Sequence, residues 1–302
     1  MTGAGAGSVA YAPEANGYLG GTGDTPTYYV PGANVQVETA ELTRNLLEIL
    51  APRDVEAQEF LAQNLDGQLS VSWVMNSDEF HRLIFNDANT GFTSGLANSA
   101  EWYLGCDYKG GTTERQIKGW APASAQAVYN GPTESVRVTV TGPYGDEEKN
   151  TSLTAGILTT GSDEVPGHGA SLTINGVELS KLQSATLSFE NISRLQPGPS
   201  PHPVDAVAGN VQTSLDMTTI YEGPEQHELA LGATGATSVQ DDVSEVAATL
   251  AFDVAGSTVA SYDIAGIAPE TYGWQDLVNN DADVTESIQW RGRGITGSDP
   301  SA

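Results

Sequence analysis

Four histidines, one cysteine and a glycine-rich pattern near the C-terminus are the residues whose chemistry needs weighing first. The histidines are His81, His168, His202 and His227, and no two of them form the His-Glu-x-x-His spacing that sets two imidazoles on one helix face around a metal. Cys106 stands alone, which excludes an intrachain disulfide and a multi-thiolate metal cluster, so it reads as a small packed side chain. Gly292-Arg293-Gly294-Ile295-Thr296-Gly297 matches the glycine spacing of a dinucleotide loop. That loop needs a following helix to receive the pyrophosphate, and only five residues remain. Asp281 and Asp283 sit in an acidic turn without the glycine and terminal glutamate of a calcium loop, so a solvated turn is expected. With no Gly-x-Ser-x-Gly elbow and no support for a serine triad, the sequence predicts a non-enzyme with no catalytic residue, no cofactor and no metal.

The charge narrows the partners. Twelve Lys and Arg stand against 39 Asp and Glu, a net charge of −27. Only 17 % of the 302 residues are charged, below the about 25 % of typical domains, so the imbalance comes from scarce cations. Such a field repels phosphate and anionic lipid, which argues against a nucleic-acid grip or a membrane anchor. The same surface is tolerable in molar salt, where the screening length shrinks to about 3 Å, and the composition is therefore read as adaptation to a salt-saturated cytoplasm. No run approaches the roughly 18 apolar residues of a spanning helix. Met1 to Ala10 lacks the basic and apolar regions of an export signal, so a soluble, non-exported chain is expected.

Short identities recur in the same order in the two halves. Gly67, Ser72 and Met75 return as Gly209, Ser214 and Met217 at an offset of 142. Glu79, His81 and Leu83 return as Glu225, His227 and Leu229 at 146. Ile117-Lys118-Gly119-Trp120-Ala121-Pro122 returns as Ile264-Ala265-Gly266-Ile267-Ala268-Pro269 at 147, and Thr133-Glu134-Ser135-Val136 as Thr285-Glu286-Ser287-Ile288 at 152. Four blocks in one order imply a duplicated unit. The expected boundaries are an N-terminal arm at 1–29, a first unit at 30–145, a linker at 146–164, and a second unit at 165–302 with a C-terminal tail.

Within each unit the period is two. Leu69, Val71 and Trp73 alternate with Gln68, Ser70 and Ser72, and Val136, Val138 and Val140 with Arg137, Thr139 and Thr141. Leu187 and Phe189, then Leu250 and Phe252, do the same in the second half, which predicts half-buried antiparallel strands. One helix per unit is expected, the first opened by a capping box of Asn76 and Glu79 with Phe80, Leu83 and Ile84 on one face, the second at Gly223 and Pro224. Long loops are expected from Thr43 to Asp66 and from Asn191 to Ala208.

The stretches Leu182 to Glu190, Pro203 to Asn210 and Thr213 to Tyr221 resemble the strand, loop and strand of tail tube proteins of long-tailed, siphovirus-like viruses. The likeness covers most of 165–296 and, through the repeat, the first unit more weakly. It implies a mainly β fold, a tandem duplication of a tail-tube-type β-sandwich or barrel, each with one short flanking helix. It also implies rings stacked into a tube through which viral DNA passes without specific binding, in the virion tail of a virus of a halophilic archaeon, assembled in the host cytoplasm. Partners would be other copies of the chain and the tape measure, tail completion and baseplate proteins. Two units per chain imply three chains per pseudo-sixfold ring, with a wall of about 24 strands. Leu46, Leu47, Ile49, Leu50, Phe60, Leu61, Pro197, Pro199, Pro201 and Pro203, together with the arm Met1 to Tyr29, are the expected contacts between rings. Gln68, Ser70 and Ser72 are the expected lining of the lumen, which would be negative. The alternative reading is a halophilic cell-surface or adhesion protein built of tandem β-domains.

Overall fold

Alternation of apolar and polar residues builds nearly everything in the computed structural model, which describes residues 7–50, 56, 59–154, 164–278 and 282–300. The first half contains β1 (Gly7–Pro13), β2 (Ala33–Ile49), β3 (Glu59–Val74), α1 (His81–Ile84), β4 (Ala100–Tyr108), β5 (Gly111–Trp120), β6 (Ser124–Tyr129), β7 (Arg137–Tyr144) and β8 (Asp146–Asn150). The second contains β9 (Ala170–Ile174), β10 (Val177–Glu178), β11 (Leu182–Glu190), β12 (Ser193–Gln196), β13 (Asp205–Ala208), β14 (Gln212–Ile220), α2 (Glu225–Leu231), β15 (Val246–Val254), β16 (Ser257–Gln275) and β17 (Thr285–Gly297). The fold is mainly β and its strand pairs are antiparallel.

A four-stranded sheet runs β1-β4-β5-β8, and an eleven-stranded sheet runs β10-β9-β15-β16-β17-β14-β11-β6-β7-β3-β2. In the large sheet β2-β3-β7-β6 is followed directly by β11-β14-β17-β16. The two arrays keep the same cross-strand register. Val71 stands opposite Val140, and Thr213, 142 residues after Val71, stands opposite Gly292, 152 residues after Val140. Those are the offsets that the sequence repeats give for the same two strands. Gly67 and Gly209 each sit where a Cβ would collide with a neighbour, the Tyr144 ring in one case and the Asn191 carbonyl in the other.

Core-facing side chains of both halves form one cluster. It includes Leu69, Val71, Trp73, Trp102 and Trp120 from the first half and Leu187, Phe189, Leu250, Tyr262 and Trp290 from the second. Phe85, just past α1, packs its ring 5.9 Å from Phe189, and Phe189 lies 6.1 Å from Tyr262. Trp120 Nε1 donates to the Leu69 carbonyl at 3.3 Å, tying the four-stranded sheet to the large one.

Several expectations are corrected. Residues 7–13 of the expected arm are β1, an edge strand on β4, with Tyr11 fully buried against Trp102 and Tyr29. Glu14 then ties down the following turn by accepting from Leu19 N and Gly119 N at 3.0 Å each. The expected linker 146–164 begins as β8 on β5, with Glu147 paired to Arg115, and 155–163 lie outside the described residues. Its charged sequence suits an edge strand, which has no second neighbour to bury it. The capping box does not form. Glu79 turns to Arg82 at 2.6 Å, Phe80 is the N-cap without a side-chain cap, and α1 shrinks to 81–84. The match of Ala121-Pro122 with Ala268-Pro269 also fails in register. Ala268 stands opposite Arg291 as Gln126 stands opposite Thr139, because β16 runs unbroken between its two pairings while residues 121–123 turn a corner between β5 and β6.

Candidate assembly surfaces

The expected loop from Thr43 to Asp66 is not a loop. β2 and β3 continue pairing out to Ile49 opposite Glu59, so the segment is a two-stranded ribbon projecting past the end of β7, which pairs β3 only as far as Gly67. Leu47 stands opposite Leu61 and Glu48 opposite Phe60. Leu46, Leu47, Ile49, Leu50, Phe60 and Leu61 are all between 36 % and 59 % exposed, a concentration of apolar surface on an element with no covering layer. The second expected loop, 191–208, is likewise a hairpin of β12 and β13. Its turn carries Pro197, Pro199 and Pro201 exposed and Pro203 half-buried. The fold brings the two segments together: Leu65 N donates to the Pro201 carbonyl at 3.0 Å, and the Leu42, Arg44, Leu65, Pro201 and His202 side chains line one cleft at the ribbon's base. The Tyr144 hydroxyl donates to the Glu41 carbonyl at 2.8 Å and Arg115 to that of Ala40 at 3.0 Å, fixing where the ribbon leaves the sheet.

Gln68, Ser70 and Ser72 lie on the face of β3 opposite Leu69, Val71 and Trp73, as expected, but only Gln68 is exposed. Ser70 Oγ shares a 2.8 Å hydrogen bond with Thr141, and Ser72 Oγ donates to Glu38 at 2.7 Å while accepting from Arg137 at 2.9 Å. The same polar face continues through Gln126, Ser188, Asp216 and Gln289, each paired with a neighbour's polar residue. Its charges include Glu38, Asp216 and Glu270 against Arg137 and Arg291, with Arg291 paired to Glu270 at 2.7 Å. Burial pushes the Asp216 carboxyl up, Arg291 beside it pulls it down, and Glu270 pushes it up again.

The histidines stay apart. His81, fully buried on α1, shares hydrogen bonds with the Tyr262 hydroxyl at 3.0 Å and the Ser298 carbonyl at 2.8 Å. Burial lowers its pKa to about 4, against the opposing pull of the Ser298 carbonyl and Asp78. His227, its sequence counterpart in α2, stacks on Tyr272 at 5.2 Å instead. His81 is therefore neutral when folded, and below the unfolded pKa of about 6.5 unfolding takes up a proton. Stability is expected to fall by up to about 3 kcal/mol as pH drops from about 6.5 towards 4. Urea titrations of wild type and His81→Gln at both pH values check this; the variant should lose that part of the pH dependence.

Sequence reasoning missed the buried carboxylates of the four-stranded sheet. Glu101 accepts from Tyr103 and Gln116, and Glu114 from Thr154 and Asn150. Among 39 acids no local signal separates them from surface ones. Each is satisfied by neutral donors, which makes them structural polar anchors. Asp283 is exposed and Asp281 lies outside the described residues. Among the described residues there is no group of three or more His, Cys, Asp or Glu placed to hold a metal ion, and no helix long and apolar enough to cross a membrane. No family model matches the chain, and no curated protein matches it.

Proposed function

We propose that this chain is a structural, self-assembling protein, the tail tube subunit that its second half resembles, with three duplicated chains closing a ring and rings stacking into a conduit for DNA. The observation that carries the reading is the joint between β6 and β11. There, two four-stranded arrays of matching order and register meet edge to edge within one chain, Ala125 to Tyr129 opposite Ala185 to Phe189. A unit that joins a copy of itself head to tail inside the chain is suited to do so between chains, and repeated head-to-tail contacts close into rings. The continuous polar face of these arrays would line the lumen. With three carboxylates named on it against two arginines, one of them already paired to Glu270, it offers DNA phosphates little to hold. The projecting apolar ribbon and the proline turn at its base would meet the next ring.

Electron microscopy of the purified protein at molar salt tests this. Rings with threefold symmetry and three chain masses, stacking into tubes, are the expected result. Six chains per ring with true sixfold symmetry would overturn the subunit count, and isolated monomers would favour the adhesion reading.

A further inference from the structure

Among the described residues, the paired arrays end in two edges that no strand covers. One is β2, which pairs only with β3. The other is residues 268–275 of β16, which pair with β17 alone because β15 stops at Val246 opposite Ile267. These are the positional counterparts of the two edges joined within the chain. β2 begins its array as β11 does, and the second part of β16 ends its array as β6 does. Register makes the correspondence specific. Gln36 stands opposite Ser72 as Ser188 stands opposite Ser214, and Ala268 stands opposite Arg291 as Gln126 stands opposite Thr139. Within the chain, Ser188 and Gln126 face each other.

We infer that the first residues of β2 of one copy, Ala33 to Gln36, add as an antiparallel strand to residues 268–272 of a second copy, with Gln36 opposite Ala268, so that the seam between chains repeats the joint within them. The inference rests on the ring reading above. Side chains at both edges are uncovered where their counterparts are not. Val37, opposite Val71, is 39 % exposed, whereas Phe189, opposite Thr213, is 1 % exposed. Tyr129 at the β6 edge is 4 % exposed, whereas on β16 Tyr272 is half-buried and Trp274 is 43 % exposed. A strand laid across either edge would pack beside Val37 and Tyr272 and give each edge the second strand neighbour it lacks among the described residues, where an open edge is otherwise a template for uncontrolled association. The contact is heterologous, β2 meeting β16 and never itself, so it closes by rotation and does not stop at a twofold dimer.

Paired cysteines test the register, because directly opposed residues of antiparallel strands bring their Cβ atoms to about 4.5–5.5 Å. In a Cys106→Ser background, Gln36→Cys with Ala268→Cys is assembled at molar salt, oxidised and run without reductant, beside the intrachain control Ser188→Cys with Gln126→Cys. The expected result is a ladder that ends at covalent trimer and collapses to monomer on reduction, with the control cross-linked inside the monomer. Rings visible by microscopy with a cross-linked control but no interchain bond would overturn the seam and leave the ring reading standing. A ladder continuing past trimer would overturn its closure by three copies. Dimers from Gln36→Cys alone would overturn it in favour of a twofold β2 contact. Absence of both rings and interchain bonds would overturn the seam and the ring reading together.

Discussion

Leu47→Ser and Leu61→Ser together are expected to leave rings intact and to stop them stacking. The two side chains face each other across the ribbon and are 48 % and 43 % exposed in the single chain. Replacing them therefore removes little from the fold of the subunit, and surface changes of this kind fall within about 0.5 kcal/mol. If the ribbon tip is covered by the next ring, each half-exposed leucine contributes about half of the roughly 1.5–3 kcal/mol of full burial. Losing both weakens every ribbon contact by at least about tenfold, since about 1.4 kcal/mol is tenfold in affinity. Each ring would present several such ribbons, so the effect multiplies along the tube. Sedimentation and micrographs at molar salt would show short stacks or single rings with an unchanged thermal midpoint. Full-length tubes from the double variant would remove the ribbon from the axial contact. Deleting 197–203 should act in the same direction and less completely, because that turn braces the ribbon's base through the Leu65–Pro201 hydrogen bond without supplying its apolar tip.

Lowering salt from molar to about 0.1 M should dissociate the assembly. The screening length then grows from about 3 to about 10 Å, so carboxylates on neighbouring copies would repel over longer distances. Ion pairs cannot absorb the repulsion. Among the described residues six cations are already paired, Arg82, Arg115, Lys118, Lys181, Arg291 and Arg293, and full pairing of all twelve Lys and Arg would still leave the −27 excess. Light scattering should fall first, as chains separate. The circular dichroism signal should follow at lower salt, as the carboxylates within one subunit begin to repel. Unchanged scattering in dilute buffer would sink the halophilic interpretation of the composition.

The strands of the two four-stranded arrays were legible because each has one apolar side. Leu69, Val71 and Trp73 are fully buried, with their polar neighbours on the other face, and Leu187 with Phe189 repeats the pattern. The ribbon was not legible as strand. A two-stranded extension without a covering layer has no inside, so nothing enforces alternation, and Leu46-Leu47 and Phe60-Leu61 sit as consecutive apolar pairs that break the period. β1 was missed because Ser8 to Ala12 mixes small residues with a single tyrosine, and β8 because a charged edge strand reads as solvent-exposed chain. The helices were placed near their true positions, but a cap inferred from residue spacing gave way to the Glu79–Arg82 ion pair. The joint of β6 with β11, on which the proposed assembly rests, leaves no local mark because strand adjacency is set by tertiary packing.

β16 passes without interruption from its pairing with β15 into the array of β17, whereas the equivalent path in the first half bends at Ala121 to Ala123. That corner is held by the burial of Ala121 and by hydrogen bonds, Ala121 N to Pro143 O at 3.0 Å, Ala123 N to Thr141 O at 2.8 Å, Ile192 N to Ala123 O at 3.0 Å and Ser193 Oγ to Pro122 O at 2.5 Å. Mechanically the two halves are then unlike. A load on β15 and its neighbours reaches the β17 array along one extended strand, while in the first half it passes through a bend at residues 121–123, where backbone torsions can open. A cylinder built from such chains would alternate stiff staves with compliant ones, and under bending its curvature would concentrate at the compliant staves.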